Sequence, residues 1–179
     1  MLILGIDPGT NKFGYGIIEL INNKPKLIIS GVRDFRKIKY LPTILDEIYK
    51  TIKELSNNYK IDIMSIENAF YHLNVDAVMK IGYARGAAML SAIHSNIQIA
   101  EYSPREVKKS ITGNGAATKQ QVQYMVKQLL GIQKELKLDE SDALAIAICH
   151  SLRNSTHITS NKKSDWKNFI QNNPGKVIL

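Results

Sequence analysis

The sequence Leu2-Ile3-Leu4-Gly5-Ile6-Asp7-Pro8-Gly9 passes from five residues without a polar side chain directly into an acidic residue and a turn. Such a strand is typical of a sheet that is covered on both faces, because each of its faces meets a hydrophobic core. Pro8 and Gly9 end the strand, since proline and glycine favour turns. The pattern predicts an α/β fold with Asp7 at the carboxyl end of a buried strand.

The chain beyond this strand alternates between strand and helix patterns. The Asn22-Asn23 turn joins the second and third strands, so we expect the first three strands to form an antiparallel meander. Pro42 then opens an amphipathic helix with apolar residues every three or four positions. The predicted elements are strands at 2–6, 14–20 and 26–32, a helix at 42–58, a strand at 61–66, a helix at 75–94 and a strand at 97–102.

Three further helices are expected after the fifth strand, at 104–111, 118–130 and 139–152. The last of them is apolar nearly all round from Ala143 to Ile148, which indicates a buried helix. From Arg153 onward the composition is polar and basic, so we expect a poorly ordered tail. The predicted organisation is one domain at 1–152 and a tail at 153–179.

The composition suits one globular domain and favours a polyanionic partner. The 179 residues carry 24 Lys and Arg against 16 Asp and Glu, a formal net charge of +8, and 44% are hydrophobic. The excess lies in two segments, 105–127 and 153–176, each with five basic residues and one acidic residue. Clustered Lys and Arg are typical of nucleic-acid binding, although a solvated surface with a basic tail is an alternative.

Several classes of site and location are disfavoured. The longest apolar stretch, 143–149, is shorter than the roughly 18 residues of a membrane span, and the amino terminus lacks a signal peptide's basic region. We therefore expect a cytoplasmic protein with no membrane partner. A single cysteine cannot form an internal disulfide, and the four histidines show no ligand spacing, so a metal would be held by oxygen.

Two acidic residues end predicted strands and two others begin the last helix. Asp7 and Glu67 converge on one crevice if their strands are neighbours, because ligands bind at the carboxyl ends of strands in α/β sheets. Asp139 and Asp142, three residues apart, share a helix face. As alternatives, these two aspartates cap the helix and Asp7 forms a turn. Neither alternative explains a carboxylate directly after the buried strand that precedes Glu67.

Four gathered carboxylates repel one another unless cations lie between them. Magnesium is the natural candidate, as a hard ion that takes oxygen ligands without His or Cys. Two divalent ions about 3.5 to 4 Å apart can hold the attacking water and the leaving oxygen of a displacement at phosphorus. Beside a basic surface, this chemistry predicts phosphodiester hydrolysis in nucleic acid.

The sequence resembles the RuvC-type Holliday junction resolvases, bacterial crossover junction endodeoxyribonucleases with a ribonuclease H-like fold. The match extends over about residues 2 to 152 and keeps the order of the motifs. The stretches that carry it are Gly-Ile-Asp-Pro-Gly-Thr at 5–10, Gly-Tyr-Gly-Ile at 14–17, Ile-Glu-Asn-Ala-Phe at 66–70, Lys-Ile-Gly-Tyr-Ala-Arg-Gly at 80–86, Ser-Pro-Arg-Glu-Val-Lys at 103–108, 113–122, and Asp-Glu-Ser-Asp-Ala-Leu-Ala-Ile-Ala at 139–147.

The resemblance implies a nuclease domain at 1–152 with a five-stranded mixed sheet flanked by helices. It also implies that the four acids bind Mg²⁺, with two ions per site and Mn²⁺ as a substitute, and catalyse cleavage. Phe70 stands where the family places an aromatic residue against junction bases, and Lys108 and Lys119 match its basic positions. The implied site residues are Asp7, Glu67, Asp139 and Asp142 for metal and catalysis, and Phe70, Arg105, Lys108, Lys109 and Lys119 for DNA.

The resemblance further implies the partners. These are a four-way DNA junction, a second copy of the chain and a branch-migration helicase complex. By analogy, the dimer surface includes the helix at 75–94, whose small residues would permit close packing. Those residues are Gly82, Ala84, Gly86, Ala87 and Ala88. Tyr83, Arg85 and Tyr102 have no role that the sequence indicates.

Two other functions share part of this pattern. Actin-like and sugar-kinase ATPases also begin with a strand, Asp and Gly, but they need two such domains and a second glycine-rich loop, for which 179 residues leave no room. A junction-binding protein without activity would keep the fold, but four intact acids argue against it. Cleavage with magnesium, compared with calcium, discriminates the three functions.

Overall fold

A computed structural model gives the fold, and it describes residues 1–68 and 74–159, with the side chains of 154–159 excepted. Within these residues, five strands and five helices follow one another in the predicted order. Their bounds are β1 Leu2–Asp7, β2 Lys12–Ile21, β3 Lys24–Asp34, α1 Leu41–Asn58, β4 Ile63–Glu67, α2 Val75–His94, β5 Gln98–Tyr102, α3 Pro104–Thr112, α4 Lys119–Leu130 and α5 Leu138–Thr159.

The five strands form one mixed sheet in the order β3-β2-β1-β4-β5. The first three strands are antiparallel neighbours, whereas β1, β4 and β5 run parallel. Asn22 and Asn23 both have positive φ, at 50° and 62°, as a tight hairpin turn requires. The predicted meander and five-stranded mixed sheet are therefore confirmed.

Helices cover both faces of the sheet. Ile3 of β1 packs in the core that α3, α4 and α5 close, while Leu4 and Ile6 pack in the core beneath α1 and α2. This explains why β1 has no polar position before its end. Among the described residues, no helix combines the length and the apolar character that crossing a membrane requires.

Helix α5 lies almost directly on the sheet because glycines leave room for it. A Cβ built on Gly5 would come within 2.0 Å of the carbonyl oxygen of Ala143, and one on Gly14 within 2.0 Å of the carbonyl oxygen of Asp139. The same Gly14 Cβ would be 3.3 Å from the Cβ of Asp7. Any side chain at Gly14 would therefore push the beginning of α5 away from the end of β1.

Helix α5 is buried where its sequence is apolar, with residues 143–149 at most 2% exposed, as predicted. It continues to Thr159, beyond the expected end at Leu152, so the tail is not wholly irregular. The remaining residues of the predicted tail, 160–179, lie outside the described residues, as do 69–73, which include Phe70.

Candidate active site

The four predicted acids come from three elements that meet at one edge of the sheet. Asp7 ends β1 and Glu67 ends β4, and these strands are adjacent and parallel, with Ile6 paired to Ile66. Asp139 and Asp142 lie in the first turns of α5, which Gly14 allows close to the end of β1. The structure thus brings together the acids that the strand ends and the helix face suggested.

The acids act on one another electrostatically. Burial, followed by the charges of Asp142, Glu67 and Asp139, raises the pKa of Asp7 from 3.8 to about 7. Burial and the charge of Asp142 also raise the pKa of Glu67. A site that makes ionised carboxylates this unfavourable attracts positive charge.

Two lysines already supply positive charge at the acids. Lys119, at the beginning of α4, places its Nζ 2.9 Å from Oδ2 of Asp142 and donates a hydrogen bond to it. Lys12, at the beginning of β2, lies 3.6 Å from Oδ2 of Asp139. The hydrogen bond to Asp142 is the main cause that raises the pKa of Lys119. Lys12 is not predictable as a site residue, because nothing in its local sequence places it beside α5.

The capping alternative fits a different residue. Glu140, which is only 6% exposed, accepts a hydrogen bond from the backbone N–H of Lys137 at 3.4 Å and another from Ser30 Oγ at 2.6 Å. Asp139 and Asp142 instead point to lysines of other elements. Their carboxylates therefore face basic side chains of β2 and α4.

A cleft of about 180 Å³ lies between two of the four acids and the basic helices α3 and α4. Glu67, Asp142, Lys108 and Lys119 line it. Of the predicted DNA-binding residues, Lys108 and Lys119 therefore lie at the acids. Arg105 and Lys109 are not among the residues that line this cleft; they line another cavity, beside Gly113 and Gly115. Phe70 falls outside the described residues, so its predicted role stays a prediction.

The donor set suits a hard divalent cation in its chemistry and charge. Four carboxylates offer oxygen ligands, and the raised pKa of Asp7 measures their need for a counter-charge. However, within 1–68 and 74–159, no three Asp, Glu, His or Cys side chains stand close enough to form a ready ligand group. Asp139 and Asp142 are turned toward Lys12 and Lys119. The assignment of the four acids as metal ligands stays a prediction.

Comparisons with known proteins agree on one family. The sequence profile of the family described as crossover junction endodeoxyribonuclease RuvC matches residues 3–150. The protein of that name from Bacteroides fragilis is 38% identical over 179 residues, covering 98% of this chain and 95% of its own. The one from Desulforamulus reducens is 42% identical over 157 residues, covering 87% and 96%.

The fold agrees with the same family. The solved structure of Thermus thermophilus RuvC in complex with a Holliday junction substrate superposes with a TM-score of 0.82 at 26% identity. The superposition covers 88% of this chain and 96% of that one. The predicted ribonuclease H-like class of α/β fold is thereby confirmed.

Proposed function

The chain belongs to the RuvC family of crossover junction endodeoxyribonucleases, and we propose that it resolves four-way DNA junctions by metal-dependent hydrolysis of two opposing strands. The observation that carries the proposal is the meeting of acids and lysines in one cleft, where Glu67 and Asp142 lie beside Lys108 and Lys119. Carboxylates alone would repel a DNA phosphate. The lysines permit its approach to the acids.

We assign the metal to the four carboxylates, as Mg²⁺ with two ions per site and Mn²⁺ as a substitute. When bound, the metal activates water and neutralises charge that develops at the phosphorus. Asp7, whose pKa burial and the neighbouring acids raise to about 7, would give up its proton at neutral pH when a cation binds to these carboxylates. Asp139 and Asp142 would turn from their lysines toward Asp7.

The lysines of the cleft have the complementary task. Lys119 is bonded to Asp142, and a bound cation would replace it there and release its ammonium group toward a phosphate. Lys108, on α3, lines the same cleft and would contact a phosphate of the DNA strand that is cut. Arg105 and Lys109 line the adjacent cavity and would contact DNA farther from the scissile bond. We keep Phe70 as a proposed contact to junction bases.

A second copy of the chain completes the proposed enzyme, since coordinated cuts in two opposing strands need two sites related by a two-fold axis. Helix α2 has an exposed apolar stripe suited to self-association, with Gly82 and Gly86 open to close approach. Ala84 and Ala88, predicted as part of that surface, are instead fully buried inside the subunit. The stripe, with exposed fractions between 45% and 72%, consists of Val75, Met79, Tyr83, Leu90 and Ile93.

We further propose a bacterial cytoplasmic location and a branch-migration helicase complex as partner. The proposed substrate supports the location, because chromosomal junctions form in the cytoplasm. The helicase proposal rests on the family resemblance alone.

Cleavage of a synthetic four-way junction tests the proposal. The protein should nick opposing strands in Mg²⁺ or Mn²⁺, bind without cutting in Ca²⁺, and leave a linear duplex of the same sequence intact. Glu67→Gln and Asp142→Asn should bind the junction and fail to cut it. A parent protein that does not cut the junction in Mg²⁺ or Mn²⁺ would contradict the proposed function. A variant that cuts at the parent rate would contradict the assignment of the substituted residue.

A further inference from the structure

Arg85 is a charged residue on the inner side of α2 that the proposed function has not used. It is 7% exposed, which is rare for arginine. One guanidinium nitrogen, Nη1, donates a hydrogen bond to the backbone carbonyl of Glu67. The other, Nη2, lies 2.6 Å from Oε2 of Glu101 on β5. A single side chain thus joins α2, the end of β4 and β5.

Stability alone does not account for this arrangement. Desolvating a guanidinium is unfavourable, and replacing a buried ion pair by apolar residues of similar size is often neutral or stabilising. Glu101 also gains little from the pair, because its side chain is 39% exposed and retains access to water. The feature of the contact that an apolar residue could not reproduce is the hydrogen bond to the carbonyl of Glu67.

The position of that carbonyl is what connects Arg85 to the active site. Glu67 is the last residue of β4, where it pairs with Tyr102 of β5. The next residue, Asn68, still donates its backbone N–H to the carbonyl of Tyr102 at 2.7 Å. Arg85 and Tyr102 therefore hold the two ends of the peptide group that follows Glu67, whose side chain lines the cleft with Asp142 and Lys119.

We propose that Arg85 is a positioning residue that holds the backbone of Glu67 so that its carboxylate faces the other acids. This inference rests on the proposed function, since it gives Glu67 a fixed direction for the metal. A planar guanidinium suits the task because its two nitrogens bind the carbonyl and Glu101 at once in a rigid geometry. Lysine can reach only one of these partners at a time.

The experiment compares Arg85→Met and Arg85→Lys with the parent protein. Arg85→Met keeps an apolar stem without a donor, and Arg85→Lys keeps the charge and one donor. The measurements are thermal unfolding, junction binding in Ca²⁺, Mn²⁺ binding to the free protein by calorimetry, and single-turnover cleavage at several Mg²⁺ concentrations, well below the melting temperature of each variant.

Arg85→Met should bind the junction within about twofold of the parent, since Arg85 is only 7% exposed and offers little surface to a ligand. Its Mn²⁺ binding should weaken, and its cleavage rate should fall by about tenfold to a hundredfold, as displacements of about 1 Å in an active site produce. Arg85→Lys should recover part of both losses. Glu101→Gln, which leaves the carbonyl contact in place, should lose less than Arg85→Met does.

Arg33→Met is the matched control, because Arg33 makes an ion pair of 2.7 Å with Glu54 on the exposed surface. It should leave metal binding and cleavage unchanged. A folded Arg85→Met with the parent's Mn²⁺ affinity and cleavage rate overturns the inference. If Arg85→Met does not fold, an unchanged rate and metal affinity in Arg85→Lys overturn it instead. Failure of the parent itself to cut junctions would overturn the proposed function and not this contact.

Discussion

Replacing Asp7 by asparagine should stabilise the metal-free protein while it abolishes cleavage. In the folded protein the pKa of Asp7 is about 7, whereas an aspartate of the unfolded chain has its ordinary value of 3.8. The unfolded state therefore releases this proton more readily, and folding becomes less favourable as the pH rises from about 4 to about 7. The amide side chain of the Asp7→Asn variant carries no charge at any pH and escapes that penalty.

The size of the effect follows from the same pKa values. A tenfold change in proton affinity corresponds to about 1.4 kcal/mol, so a pKa raised from 3.8 to about 7 sets an upper limit of about 4 kcal/mol. Asp7 retains partial exposure, and neighbouring acids can take up the proton in its place. We therefore expect about 2 kcal/mol at pH 8, or a melting temperature about 4 to 8 °C higher for a domain of this size.

Thermal unfolding in a chelator, at pH 5 and at pH 8, measures the effect. The gap between Asp7→Asn and the parent should widen with pH, and Mg²⁺ should close it by stabilising only the parent. Asp34→Asn is a control in which the change in stability should have the opposite sign. The Arg36 guanidinium holds the pKa of the Asp34 carboxyl well below its usual range, so losing that carboxylate should destabilise the folded protein. Equal melting of Asp7→Asn and the parent at pH 8 would refute the electrostatic reasoning.

Three more outcomes are expected. Lys119→Ala should weaken junction binding and reduce the slope of log binding constant against log salt concentration by roughly one. Equal slopes for Lys119→Ala and the parent would exclude the phosphate contact, and Lys53→Ala on α1 is the control. Gly86→Leu should shift the protein toward monomer in light scattering, and an unchanged dimer would remove α2 from the interface. Burial lowers the pKa of His150, so stability to urea should fall as the pH drops below about 6.5, and His150→Gln should reduce that loss.

The sequence predicts the sheet well because its cues are local. β1 lacks polar positions since helices cover both of its faces, and the Asn22-Asn23 turn needs only its own backbone geometry. The convergence of Asp7 and Glu67 follows from one further rule, that parallel neighbours end at the same edge.

What the sequence does not predict depends on distant residues. Lys12 meets Asp139 only because α5 crosses the sheet at Gly14, and Arg85 meets Glu67 only because α2 packs against α1 and β5, next to the end of β4. Ala84 cannot be told from Gly86 as a surface residue until the rotation of α2 about its axis is known. Small size alone does not state which side of a helix is covered.

The seating of α5 on glycines means that the acids do not share one local stability. The helix that carries Asp139 and Asp142 is buried from Ala143 to Cys149, so the amides of that stretch should exchange with solvent only when the whole domain unfolds. Glu67 instead ends β4, and its backbone carbonyl accepts a hydrogen bond from Arg85 of α2, a helix with an exposed apolar stripe. If α2 opens on warming before the rest of the domain unfolds, Glu67 is the first of the acids to be released. Heat should then inactivate the enzyme below its melting temperature, and cooling should restore activity without refolding of the domain.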